Sequence, residues 1–428
     1  MLQHLLERLE RYFGPADLAW AAALVAALGL STSKAAMSIC TGFAAGAAAW
    51  YLVRHPRPGL RLIRPEAWLL TGIFWLSCVG GCMTDEPAGW MTDIRQKLPF
   101  LILPLAFGVF PRFSQRQETL LWGGFILTQT VVALLSLVIA YQDYEGLIRI
   151  VTRNSNIDIV GSVSHIYFGL FLAFSALMSL WLGVKHQPVF FRYERHLFLV
   201  LGVLNLIFLH LLTSRTGLIV VYVSGISGII YLIFKTLHRW LGVLLLAAVV
   251  VLPVLSYQYV PSFRTRVNVT RYDLQQYQIA DRDLSGHSIS LRLLAWEAAL
   301  YVWEQHPILG TGIADVEQDM QAAYTHQPQR ASPSSLLTTP HNQYLEYLAG
   351  FGILGIGMLL IVNWVPLFIS KQKSLSFLLL LFVIGIGVAM LFESILERQA
   401  GMTFVALFMM LLTAPDNPRL SFSANNSI

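Results

Sequence analysis

The sequence predicts an all-α, polytopic integral membrane protein of about 12 transmembrane helices with one long external loop that itself contains helices. Three observations lead there. Of the 428 residues, 56% are hydrophobic and only 12% are charged, about half the charged share of an ordinary soluble domain. Mean hydropathy is +0.60, and the apolar residues gather into runs near the about 20 residues that span roughly 30 Å of hydrocarbon. One stretch, Tyr257 to Gln343, breaks this pattern with six arginines, a group of acids and a Ser/Thr/Pro-rich end.

The spans fall near Ala16–Leu30, Lys34–Val53, Ala67–Met83, Arg95–Phe110, Thr119–Ala140 and Ser164–Val184 in the first half. The second half adds His196–Leu212, Gly217–Phe234, Trp240–Tyr257, Tyr344–Ile369, Leu375–Glu393 and Gly401–Leu412. Helices are required, because open strands would leave backbone groups unpaired in lipid. The chain thus divides into residues 1–256 with nine spans, a loop over 257–343, and residues 344–428 with three spans. Within the loop, Ser290 to Gln305 reads as an amphipathic helix whose inner face holds Leu294, Ala298, Tyr301 and Val302. It should stop at His306–Pro307, before a turn at Gly310-Thr311-Gly312.

Counting basic residues fixes an expected orientation. With both termini inside, sixteen Lys and Arg fall on inside segments, seven on the short outside segments and six on the long loop. Long loops are exempt from the positive-inside rule, so the comparison favours that orientation. The formal charge of +5 is scattered through short loops and reads as topology; no nucleic-acid partner is implied, whereas membrane lipids are. Cys40, Cys78 and Cys82 lie in apolar segments and read as packing residues without disulfide or metal spacing. Met1 to Phe13 carries acids and bases and reads as a retained interfacial segment rather than a cleaved leader. There is no Walker A, no nucleotide-binding loop and no metal-spaced cluster, so neither ATP, a metal nor another cofactor is expected.

Three residues carry the candidate chemistry. Arg215, in Thr213-Ser214-Arg215-Thr216-Gly217, stands where two apolar helices meet on the outer side. It suits a diphosphate, assisted by the Ser214 and Thr216 hydroxyls and the amides opening the next helix; the alternative is an arginine snorkelling to the interface. Arg292 lies on the loop helix, with Trp296 one turn on. Several guanidiniums on one external loop suit a multiply charged phosphate, and the alternative is a solvated loop or contact with anionic head groups. His341 stands where the loop re-enters the membrane, behind Pro340, with a helix expected from Asn342 or Gln343. An imidazole can take a hydroxyl proton near neutral pH; otherwise His341 caps or packs. Glu346, five residues on, faces another side or caps the helix. Glu393, Glu397 and Arg398 are expected to pair among themselves at the outer end of the eleventh span.

Ser214-Arg215-Thr216-Gly217, then Arg292-x3-Trp296, His306-Pro-Ile-Leu-Gly-Thr-Gly312, and His341-Asn342-x2-Leu345-Glu346 with Gly350-x-Gly352 together resemble the O-antigen ligase/polymerase family. The order of these pieces, with a long external loop between the Arg-Thr-Gly and His-Asn helices, carries the likeness, which most resembles the ligases. The resemblance implies an enzyme of the bacterial inner membrane with its loop in the periplasm. Such an enzyme moves a glycan from undecaprenyl diphosphate to a sugar hydroxyl of lipid A–core in lipopolysaccharide biosynthesis, by inversion. It further implies that Arg215 and Arg292 bind the donor diphosphate and that His341 is the general base. Ser214, Thr216, Trp296, Asn342 and Glu346 would support them, while Arg264, Arg266 and Arg271 match no motif and remain possible substrate contacts. An O-antigen polymerase would use the same donor with a growing glycan as acceptor. A secondary transporter would show a similar number of spans but would place its charged pairs at the bilayer midplane.

Overall fold

A computed structural model describes residues 14–55, 62–142, 157–235, 237–279, 282–326, 330–371 and 375–415. The expected interfacial segment Met1–Phe13 lies outside these. Among the described residues the regular structure is helical throughout. In chain order the helices are α1 (Pro15–Thr32), α2 (Lys34–Arg54), α3 (Pro65–Leu70), α4 (Gly72–Gly80), α5 (Pro87–Gly108), α6 (Gln115–Gln142), α7 (His165–Lys185), α8 (Glu194–Leu212) and α9 (Arg215–Lys235). There follow α10 (Arg239–Tyr259), α11 (Pro261–Tyr277), α12 (Ser288–Gln305), α13 (Val316–Ala323), α14 (Gln343–Trp364), α15 (Pro366–Ile369), α16 (Ser376–Met390) and α17 (Gln399–Leu412).

Among the described residues, eight helices are long and apolar enough to cross a membrane: α1, α2, α6, α7, α8, α9, α10 and the α14–α15 unit. α16 and α17 are apolar but shorter. The span expected over Ala67–Met83 is two short helices broken at Thr71, and the one expected at Arg95 begins at Pro87 and carries Asp93, Arg95 and Lys97 in its outer turns. Lys97, near the start of that expected span, is fully buried.

The core lies around α7, whose apolar window is 78% buried, against 11% for α10 at the rim. Aromatic rings of four helices interlock there: Phe125 of α6, Phe174 of α7, Phe382 of α16, and Phe404 and Phe408 of α17, with centroids 4.8 to 6.5 Å apart. Small residues let backbones approach, as in other membrane bundles: a Cβ on Gly217 of α9 would stand 2.4 Å from the Gly169 carbonyl oxygen of α7.

The segments assigned to one side of the membrane by the basic-residue count meet at one end of the bundle. Ser162 N–H donates to Ser31 C=O at 3.1 Å, Thr84 Oγ1 donates to Asp315 at 2.9 Å, and Lys97 reaches Glu397. Segments assigned to the other side meet at the opposite end, where Arg64 donates to the Phe107 and Met410 carbonyls and Gln117 donates to Asp17. The stretch between α10 and α14 folds over the first end as α11, α12, α13 and two 3-10 turns, Tyr324–His326 and Pro333–Ser335. Its own core is Leu291, Leu294, Ala295, Ala298, Val302, Val316 and Met320, with Tyr301 packed against it. The inner face expected of the loop helix is therefore the face that is buried.

Candidate active site

The loop is fastened to α14 by backbone hydrogen bonds as well as by packing, with Ala349 inside the loop's core and Leu345 against it. Thr311 N–H donates to Ala349 C=O at 3.0 Å, Gly312 N–H to Gly350 C=O at 2.9 Å, and Ile353 N–H to Pro307 C=O at 3.0 Å. The acceptors at Ala349 and Gly350 are spare because α14 is broken at Gly352, which has φ 61° and ψ −153°. Gly310 and Gly312 also have positive φ, as the expected turn requires. A Cβ on Gly310 would meet the Gly350 carbonyl carbon at 2.3 Å, and one on Gly352 the Ile308 carbonyl carbon at 2.3 Å. The His306–Gly312 motif is thus a seam that docks the loop on the re-entering helix.

At the head of α14, Asn342 is the N-cap, its Oδ1 accepting from Tyr344 N–H at 3.0 Å and Leu345 N–H at 3.2 Å. His341, just before it, has φ 47°. Trp296 Nε1 donates to the Pro340 carbonyl at 3.0 Å, so α12 holds the residue ahead of His341. His341 Nδ1 lies 3.1 Å from Glu393 Oε1. An ionised carboxylate only accepts, so Nδ1 carries the proton and the Nε2 lone pair is left for a substrate. The His341 side chain is 32% exposed and Glu393 10%.

Glu393 also faces Arg292, whose Nη2 is 3.5 Å from Oε2, while Arg292 Nη1 donates to the Phe392 carbonyl at 2.6 Å. Burial lowers the Arg292 pKa from the ordinary arginine value, and Glu393 opposes that shift. Arg292 and His341 are therefore brought onto one carboxylate. The expected pairing among Glu393, Glu397 and Arg398 is not formed. The short 3-10 turn Ile395–Glu397 sends successive side chains to different partners, so that Glu397 takes Lys97 Nζ at 2.6 Å and Arg398 is exposed. Glu346 does not cap α14; it is buried and accepts from Ser394 Oγ at 2.5 Å.

Arg215 opens α9 because Thr213, at φ 51°, turns the chain sharply after α8. Its Nη1 donates to Ser288 Oγ at 3.4 Å, at the start of α12. Its Nε and Nη2 are buried with no hydrogen-bond partner, which is costly unless an acceptor arrives. Ser214 and Thr216 are both buried. Ser214 is wedged against Gly169 and donates to the His165 carbonyl at 3.4 Å, a packing position. The charges of Arg266 and Arg292 both bear on Arg215, and those of Arg215, Arg266, Arg292 and Glu393 all bear on His165. Arg215 and Arg292 therefore stand within electrostatic reach of one another, at the end of the bundle where Glu393 meets His341. Among the described residues no group of His, Cys, Asp or Glu is placed to hold a metal ion.

Sequence reasoning missed Glu393 as the partner of His341, as well as the burial of Lys97. Glu393 had one usable signal: it ends an apolar span on the side where His341 begins one.

Fold and site define a multi-pass helical membrane protein with a cluster of arginines and a histidine–carboxylate pair under a folded loop at one end. Residues 197–360 match the family model described as O-antigen ligase, so this stretch is similar to that family. The match runs from α8 into α14, and so contains Arg215, Arg292 and His341 while leaving Glu393 outside. It supports a bacterial membrane function of O-antigen ligase or polymerase type, glycosyltransferase-like, with lipid-linked glycan and lipid A–core as the general substrates. No curated protein matches the chain.

Proposed function

We propose that this protein is the ligase that transfers O-antigen polysaccharide from undecaprenyl diphosphate to a sugar hydroxyl of lipid A–core, at the periplasmic face of the inner membrane. The observation that carries this reading is that Glu393 touches both His341 and Arg292 while Arg215 lies within electrostatic reach of Arg292. His341 Nε2 takes the proton of the acceptor hydroxyl while Glu393 holds the ring and favours the imidazolium that results. The deprotonating oxygen attacks the anomeric carbon from the face opposite the diphosphate, which inverts its configuration. Arg215 and Arg292 hold the diphosphate and neutralise the charge it gains. The two unpartnered Arg215 nitrogens are the donors such an anion would satisfy.

Loss of the gene product, followed by inspection of surface and lipid-linked glycans, tests this reading. A ligase defect leaves complete polymer on the lipid carrier and none on the core. Single repeat units on the core would assign the protein to polymerisation instead. In a purified assay, Arg215→Lys keeps the charge but loses the planar fork, and the donor KM should rise more than the acceptor KM; the reverse order would contradict the donor role.

A further inference from the structure

The loop arginines Arg264, Arg266 and Arg271 look alike in sequence, but the register of α11 separates them. Phe263, Arg266, Thr270 and Asp273 recur at three- and four-residue steps and share one face. Phe263 is buried and stacks on His210 of α8, with centroids 6.0 Å apart. Asp273 is buried against the start of α12, accepting from Ile289 N–H at 3.1 Å and touching His287 Nδ1 at 3.0 Å. Arg266 lies between these anchors, one turn from the first and two from the second, and is half-buried, whereas Arg264 and Arg271 are exposed. The α8–α9 junction and the head of α12 are also what frame Arg215, between Thr213 and Ser288. Arg266 therefore lies on the face of α11 that is turned to the α8–α9 junction and the head of α12, and its charge bears on both Arg215 and His165.

Arg215, Arg266 and Arg292 stand against two carboxylates, Glu393 beside Arg292 and Asp273, whose charge bears on Arg215, which leaves the cluster with a net positive charge. We propose that Arg266 contacts the departing diphosphate and neutralises the charge that appears on it as the glycan leaves. This deepens the donor-site reading above and rests on it. In the transfer, the acceptor oxygen bonds to the anomeric carbon and its proton passes to His341. The bond from that carbon to the diphosphate oxygen breaks, and its electron pair leaves with the diphosphate. The linkage carries two negative charges in the donor and acquires a third on departure. Arg215 and Arg292 match the first two, with Arg292 already partly engaged by Glu393. The third charge exists only during and after bond breaking, so a cation placed for it lowers the barrier more than it tightens donor binding.

The test uses full-length protein in lipid nanodiscs with varied donor concentration. Arg266→Gln should lower kcat about 10²-fold while donor KM moves less than about threefold. It should also weaken inhibition by undecaprenyl diphosphate, the more highly charged product, by more than it changes donor KM. A misplaced α11 would not produce that split. Wild-type kcat, or equal weakening of donor and product, overturns the proposal. Arg215→Gln, run in parallel, reports on the donor site itself. If it leaves kcat and donor KM unchanged, the donor-site reading fails; if it is impaired and Arg266→Gln is not, only the third-charge role fails. Should Arg266→Gln not fold, Arg266→Lys carries the comparison: an intermediate kcat is expected, and wild-type kcat and product inhibition together overturn the proposal.

Discussion

Gly352→Ala strikes the seam that docks the loop on α14, and its cost can be worked from the geometry. At φ 61° and ψ −153° the backbone sits in a region almost reserved for glycine, worth about 1–3 kcal/mol against alanine. The added Cβ would stand 2.3 Å from the Ile308 carbonyl carbon and 2.4 Å from its oxygen. Those atoms cannot easily retreat, because Ile353 N–H, Thr311 N–H and Gly312 N–H tie the two backbones together. Overpacking of that kind adds about 1–3 kcal/mol, for a total of about 2–6 kcal/mol. Gly357→Ala, on the same helix, is the internal control: its Cβ meets nothing within 4 Å, and alanine in a helix interior should gain up to about 1 kcal/mol. Thermal unfolding of the detergent-purified protein, followed by tryptophan fluorescence, separates the two. Gly352→Ala should unfold several degrees below the parent and lose transfer, with Gly357→Ala at or above the parent. Equal unfolding temperatures for the two variants would refute the seam.

Two further outcomes follow from the polar contacts. Glu393→Gln keeps shape but removes the charge that holds His341, so kcat should fall about 10²-fold. The double variant with His341→Ala should then be no slower than His341→Ala alone; additive losses would mean the two residues do not act as a unit. Lys97→Met leaves Glu397 and Asp93 without their buried cation and should cost about 3–5 kcal/mol, read as a lower unfolding temperature. Unfolding at the parent temperature would show that the Lys97 cluster does not hold the 391–398 segment.

The helical membrane class was legible because span length and apolar composition are properties of short windows. So were the helix over residues 290–305, its end at His306, and the start of α14 at Gln343, each set by local signals. Arg215, Arg292 and His341 were singled out by their order along the chain, and the structure brings Arg292 and His341 onto Glu393. What stayed hidden was the partner of each polar group. Glu393 sits next to Ser394 and near Arg398, and neighbours in sequence suggest neighbours in space; the 3-10 turn instead sends Glu393 to His341, 52 residues away, and Glu397 to Lys97, 300 residues away. The breaks at Thr71 and Gly352 were likewise invisible, because an apolar run reads the same whether or not it is continuous. Arg266 differs from Arg264 only by which face of α11 it occupies, and that face is fixed by Phe263 and Asp273 finding their partners.

The account turns on His341 as the group that takes the acceptor proton. The most direct measurement is the rate of glycan transfer by purified His341→Ala protein in lipid nanodiscs, supplied with lipid-linked donor and lipid A–core and checked for unchanged thermal unfolding. A folded protein that still binds donor but transfers at least about 10²-fold more slowly is the predicted result. Near-normal turnover by that folded variant would contradict the account.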